Sequence, residues 1–233
     1  MTLILSIDTS SQAVVVGLDN GFDRSVGVTR GVTAGGTGPI QPPSHGEDLA
    51  PAIARALSSF EAEPRDLTHI VVGVGPGPFT GLRVGIVTAR VMADALGIPV
   101  LGVCSLDAIA RHARLTELVD GSFTVVTDAR RREVYARRYA ADGMPVGDPW
   151  VSRADDLPAE VRDGPVVGPG AVLFPDAFTD VRGTARIDSG GLESLARGAA
   201  LGWPSTEARD TTPLYLRRPD AIPSAGRKRV TQP

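Results

Sequence analysis

Lysine is almost missing from this chain: Lys228 is the only one among 233 residues. Its absence elsewhere excludes the Gly-Lys-Ser/Thr phosphate loop, whose lysine must reach the phosphates. Cysteine is as scarce. Cys104 stands alone, so no internal disulfide can form, which fits a reducing cytoplasm. No run of about 18 apolar residues reads as a membrane span. The start, Met1 to Asp8, lacks a basic segment and a long apolar core, so it reads as a strand rather than a signal peptide. The three histidines, His45, His69 and His112, show no zinc-site spacing. A net charge of −3 exerts no general pull on nucleic acid. The remaining composition, 42% hydrophobic and 22% charged, is that of a soluble globular protein. The length suffices for one large domain or two small ones.

The most informative stretch runs Val71-Val72-Gly73-Val74-Gly75-Pro76-Gly77-Pro78-Phe79-Thr80-Gly81-Leu82-Arg83. It reads as a buried strand, a stiff Gly-Pro loop, then a helix opening at Gly81 or Leu82. The dinucleotide fingerprint fails, because Thr80 stands where its third glycine belongs and Asp94 falls inside the helix pattern. Such a crossover is equally at home as plain α/β scaffolding.

Leu3–Ile7 and Ala13–Leu18 read as strands, and Asp19-Asn20-Gly21 signals a hairpin into a third strand over Phe22–Val28. Residues 29–46 are rich in Gly, Pro, Thr and Ser and read as a loop. Apolar positions at helical spacing predict a helix over Glu47–Phe60 and another over Gly81–Leu96, closed by Gly97. His69–Val74 and Val100–Val103 complete a mixed sheet of ribonuclease H type. The pattern then restarts. Phe123–Thr127 ends in Asp128 as Leu3–Ile7 ends in Asp8, and Glu133–Ala140 follows as the second strand. Later, Val166-Val167-Gly168-Pro169-Gly170 echoes the first Gly-Pro-Gly loop. A duplicated fold is expected, with domains over 1–104 and 105–216 and a basic, flexible tail over 217–233.

Chemistry is sparse. In a two-domain nucleotide-binding architecture, the turn Asp8-Thr9-Ser10 is the natural phosphate loop, so these three are the candidate cofactor-binding residues, as a working site or as the vestige of one. The competing reading, that Asp8 caps its own turn, is favoured because little else of such a site is present. Cys104 ends a core strand as an inert thiol. Ser44 or His45 leads a helix start, with Glu47 and Asp48 suited to its first turn. The run Asp128-Ala129-Arg130-Arg131-Arg132-Glu133 suits a phosphate, an acidic partner or plain solvent equally. The helix over Leu82–Leu96 is apolar on two faces: Leu82, Ile86, Ala89, Ala93 and Leu96 on one, and Val84, Val87, Val91 and Ala95 on another. A surface helix has a single apolar stripe, so a second burial against a partner is expected. The helix over 47–60 is also low in charge, and the pair suggests a four-helix seam.

Ile4-Leu5-Ser6-Ile7-Asp8-Thr9-Ser10, Ser44-His45-Gly46-Glu47, Gly75-Pro76-Gly77-Pro78-Phe79-Thr80-Gly81-Leu82-Arg83, Gly102-Val103-Cys104-Ser105-Leu106, the Asp128–Tyr135 run and Pro213-Leu214-Tyr215-Leu216-Arg217 resemble the TsaB (YeaZ) family, over almost the whole chain. The resemblance implies an α/β fold of two ribonuclease H-like domains of the actin/sugar-kinase/Hsp70 (ASKHA) superfamily. It implies a non-catalytic accessory subunit that pairs with a catalytic TsaD, joined by TsaE, for threonylcarbamoyl transfer to adenosine in tRNA. No cofactor and no metal of its own are expected, since no second histidine follows His45 four residues on. Contact with tRNA is expected to run through the complex, and the isolated chain is expected to form a homodimer. The expected docking residues are His45, Glu47, Leu49 and Ile53 on the first helix and Phe79, Leu82, Arg83, Ile86, Ala89, Arg90 and Ala93 on the second. The family carries Ser where Pro78 and Gly46 stand here, and a shorter excursion at 31–43. The alternative is an enzyme of the same superfamily: an ATPase or kinase using Asp8 and Gly168-Pro169-Gly170, or a peptidase.

Overall fold

The computed structural model describes residues 2–30, 45–203 and 206–217. The Gly-rich excursion at 31–43, Ser44 and the basic tail beyond Arg217 lie outside the described residues.

The first sheet contains β1 (Ile4–Asp8), β2 (Val14–Asp19), β3 (Ser25–Arg30), β4 (His69–Gly73) and β5 (Val100–Val103), in the order β3-β2-β1-β4-β5. β1–β2 and β2–β3 pair antiparallel, and β1–β4 and β4–β5 pair parallel. The second sheet contains β6 (Phe123–Asp128), β7 (Glu133–Tyr139), β8 (Pro145–Arg153), β9 (Pro165–Val167) and β10 (Asp180–Gly183), in the order β10-β9-β6-β7-β8. That is the same topology with the same pairing senses. Each is a ribonuclease H-like unit, so the duplication expected from the repeated strand–Asp–hairpin pattern is present.

Side chains alternate across a strand, and the alternation sorts the core into layers. Leu5, Ile7, Ile70 and Val72 face α1 (His45–Ser59) and α2 (Phe79–Leu96). Ile4, Val15 and Val71 face the other way, into a cluster with α3 (Ser105–Leu115), α6 (Ser189–Ala200), and Phe123 and Val125 of β6. Val126, Val134 and Val166 point to the far side, toward α4 (Ala159–Arg162) and α5 (Pro169–Leu173). The helices α3 and α6 therefore lie between the two sheets, and α6, late in the chain, packs on the first sheet. Among the described residues, no helix is long and apolar enough to cross a membrane.

Two local expectations shift. The helix expected from Gly81 or Leu82 begins at Phe79, with Pro78 at its N-cap and the Leu82 N–H donating to the Pro78 carbonyl at 3.0 Å. Gly81 is part of the first turn. The third strand begins at Ser25 rather than Phe22, because Asn20 Oδ1 accepts the N–H groups of Phe22, Asp23 and Arg24 and holds a longer turn. Phe22 is exposed at its tip.

Candidate functional site

Three regions carried chemical expectations: the Asp8 turn, the Gly-Pro loop with the helix behind it, and the arginine turn of the second unit.

The Asp8 turn is closed. Asp8 Oδ1 accepts the Ser10 N–H at 2.8 Å and the Ser10 hydroxyl at 2.6 Å, while Oδ2 accepts the Ser105 hydroxyl at 2.6 Å. Thr9 donates to the Gly81 carbonyl at 2.7 Å and accepts the Gly85 N–H at 3.1 Å. All three residues are buried. Burial pushes the Asp8 carboxyl up from its ordinary range, opposed by the hydrogen bonds from Ser10 and Ser105. The side-chain oxygens of Asp8, Thr9 and Ser10, the residues expected to hold a cofactor, are thus turned inward and engaged within the protein.

The Gly-Pro loop packs on this turn. Ser105 accepts the Gly75 N–H on its hydroxyl and donates its own N–H to the Gly75 carbonyl at 2.8 Å. A Cβ at Gly81 would press on the Thr9 carbonyl, and one at Gly85 would overlap Thr9 Oγ1. The glycines let α2 lie on the backbone of the turn. His45 closes the other side. Its Nε2 lies 2.9 Å from the Ser11 carbonyl, an acceptor, so the proton sits on Nε2. The second loop is packed in the same way, since a Cβ at Gly168 would overlap the Val126 carbonyl oxygen.

The expected docking residues divide sharply. Leu49, Ile53, Leu82, Ile86, Ala89 and Ala93 are buried against the first sheet. They hold α1 and α2 in place and have no surface for a partner, which corrects their assignment. Glu47 is exposed and His45 half-buried. The outward stripe of α2 is Phe79, Arg83, Val87 and Val91, each four residues on, with Val87 56% and Val91 62% exposed. Beside it, α1 exposes Ala50, Pro51, Ala54 and Ser58, none of them charged.

The segment after α6 occupies the flank of α2. Tyr215 stacks on Phe79 with ring centres 4.9 Å apart, and its hydroxyl accepts from Arg83 Nε at 3.2 Å. The Arg83 guanidinium lies 3.7 Å from the Phe79 ring centre. Arg90 donates to the Thr211 hydroxyl at 2.6 Å and to its carbonyl at 2.7 Å. Phe79, Arg83 and Arg90 therefore meet the chain's own strap first. The block 213–217 was visible as a motif, but its seat on α2, more than 120 residues earlier, carries no local signal.

A cleft of about 150 Å³ opens beside Asp107, Arg111, Arg114, Tyr139 and Glu207. Some of its charges are paired, whereas Arg114 Nη1 is buried with no hydrogen-bond partner among the described residues. The buried Arg137 bridges Asp107 at 2.8 Å and Glu207 at 2.7 Å, and the Tyr139 hydroxyl donates to Asp107 at 2.7 Å. Burial raises both the Asp107 carboxyl and the Cys104 thiol, so Cys104 is an inert core group. Among the described residues, no three His, Cys, Asp or Glu side chains are grouped to hold a metal ion.

Two ribonuclease H-like units joined through a shared helical layer define a protein of the actin/sugar-kinase/Hsp70 class. A family profile described as "TsaD: tRNA N6-adenosine threonylcarbamoyltransferase" matches residues 34–167. An uncharacterized protein of Mycobacterium tuberculosis is 39% identical over 225 residues, covering 97% of this chain and 96% of that one. The tRNA threonylcarbamoyladenosine biosynthesis protein TsaB of Bacillus subtilis is 33% identical, covering 76% of this chain and 82% of its own. YeaZ from Pseudomonas aeruginosa superposes with a TM-score of 0.75 at 25% identity, over 93% of this chain and all of that one. The chain belongs to the TsaB (YeaZ) family.

Proposed function

We propose that this chain is a non-catalytic subunit of tRNA threonylcarbamoyladenosine biosynthesis in the cytoplasm, docking a TsaD-type catalytic partner across α1 and α2. A TsaE-type ATPase joins the assembly, and the free chain pairs with itself through the same face. The observation that carries this reading is the outward stripe of α2. Val87 and Val91 stand exposed, and α1 exposes the uncharged Ala50, Pro51, Ala54 and Ser58 beyond Glu47 in its first turn, where a solvated helix would carry more charge. The sealed Asp8 turn supports the non-catalytic part, because a nucleotide enzyme built on Asp8 needs that carboxylate facing a ligand.

The test is co-purification of Val87→Asp/Val91→Asp with a TsaD-type protein, with circular dichroism as the fold control. Pairing is expected to fall at least tenfold with an unchanged melt, and undiminished pairing overturns the docking face. Reconstituted tRNA modification with and without the chain then measures whether it is required. Saturable binding of ATP and magnesium that is abolished by Asp8→Asn would overturn the non-catalytic reading.

A further inference from the structure

Arginines stand at both ends of β7, under different conditions. In the turn before it, Arg130 lies 3.6 Å from Asp128, Arg217 pairs with Glu133, and Arg131 is engaged within the protein. Past its other end, the Asp142-Gly143 corner lies beside the last turn of α3, and the cleft of about 150 Å³ opens there. Four segments meet around it: α3, the hairpin from β7 to β8, α6 through Leu195, and the strap through Glu207. The space exceeds what one water needs and has room for a small organic ion.

Arg111 and Arg114 lie three residues apart on one side of α3. The nearest carboxylates are committed. Arg137 Nη1 donates to both Asp107 oxygens, at 2.8 and 3.0 Å, and the Tyr139 hydroxyl donates to Oδ1 at 2.7 Å. Glu207 accepts from Arg137 at 2.7 Å and from Arg209 at 2.6 Å. Arg111 is engaged within the protein, and burial pushes its guanidinium down from the ordinary value, opposed by Asp107 and reinforced by the charge of Arg114. Arg114 is left in a different state. Its Nη1 is buried with no hydrogen-bond partner among the described residues, and the charge one turn earlier on its helix is another cation. A buried donor without an acceptor is costly, and a native fold that keeps one calls for a water or an ion to match it.

The walls of the cleft select the ion. Asp107, Asp142 and Glu207 all line it, so a doubly charged phosphate would meet three carboxylates. A single carboxylate matches a guanidinium fork with two parallel hydrogen bonds. Ala110, Pro145 and Leu195 offer apolar surface to a short carbon chain. We infer that the cleft binds a small organic monocarboxylate, its charge held by the Arg114 guanidinium and its carbon body lying against Ala110, Pro145 and Leu195. Because Nη1 is covered in the empty cleft, the ligand is met by a change of the Arg114 rotamer. An occupant would also tie together the two units and the strap, which all line the site. This binding needs no partner protein and stands apart from the docking face on α1 and α2.

Methyl and arginine-side-chain NMR on the full chain, titrated with butyrate, butyramide and inorganic phosphate, tests it. Butyrate should shift the Ala110 and Leu195 methyls and the Arg114 Nε saturably, with a Kd on the order of 1 mM for so small a ligand. Butyramide has the same shape without the charge and should bind at least tenfold more weakly, as should phosphate. Arg114→Gln should weaken butyrate at least fivefold. Its ligand-free melting temperature should match or exceed that of the unmodified chain, because the change removes an unmatched buried donor. The inference is overturned if butyrate gives no saturable shift, if butyramide binds as well, or if Arg114→Gln keeps its affinity. Phosphate binding more tightly than butyrate would overturn the carboxylate assignment. A lower ligand-free melt for Arg114→Gln would overturn the premise that its guanidinium is unmatched.

Discussion

Asp8 and Asp128 end the first strands of two sheets with the same topology, and each accepts a hydrogen bond from the N–H two residues on. Their surroundings differ completely. Around Asp8, the Gly-Pro loop, the start of α3 and the first turn of α2 close in until both carboxylate oxygens are matched by hydroxyls and an N–H. Around Asp128, the five-residue α5 packs on the backbone of Val126 and Thr127, and the turn beyond exposes its arginines. The same arrangement of strand, aspartate and turn is a buried network in one unit and an exposed charged turn in the other. The same local sequence signal cannot be assigned a function until its neighbours are known.

Mutations can break that contrast in order of expected size. Gly73 lies where a Cβ would overlap Asp8 Oδ2 and crowd the Ser105 hydroxyl. Gly73→Ala should cost about 3 kcal/mol or more in urea unfolding, as overpacking disrupts a buried network; a cost below about 1 kcal/mol would mean the network yields easily. Asp8→Ala should cost about 2–4 kcal/mol, since it strands the Ser105 hydroxyl and the Ser10 N–H in the core. Asp128→Ala should cost only about 0.5–1 kcal/mol, because water replaces its turn bond. Equal costs for the two alanine variants would erase the distinction.

A pH effect sharpens the comparison further, because the first sheet alone is roofed by α6. Gly17 and Gly27 leave room beneath that helix for Glu193 and Ser189. Burial, with Asp19 of β2 and Asp188 before α6, pushes the Glu193 carboxyl up to about 7, against the pull of Ser25 and Arg197. His112 of α3 faces the same cluster through Asp188 at 2.8 Å. A carboxyl whose folded pKa is raised favours the fold while protonated, so its stabilisation is complete below about 4.5 and is lost as pH rises through about 7. Thermal melts across that window should decline less steeply for Glu193→Gln, and the variant should exceed the unmodified chain at about pH 8. Parallel profiles would remove Glu193 from the account.

Much of the fold was legible in the sequence because its signals are local. Apolar runs, Asn20-Gly21, Gly97 after α2 and the repeated strand–aspartate pattern each act within a few residues. The exposed face of α2 was only half legible. Val87 and Val91 read as part of a second apolar face of α2, yet the docking expectation fell on Leu82, Ile86, Ala89 and Ala93, which the fold buries. Periodicity reports that two faces are apolar without saying which one the helix turns inward. The strap residues Thr211 and Tyr215 were harder still, since nothing near them in sequence announces a partner on α2.

The strands of the first unit, the repeated strand–aspartate pattern and the absence of the common phosphate loops follow from patterns written along the chain, because steric and turn preferences of single residues set them. The fate of equivalent residues was decided in three dimensions. Asp8 is buried by three distant segments, whereas Arg130–Arg132 stay exposed at their turn. Long-range packing, which no short stretch encodes, separates the two.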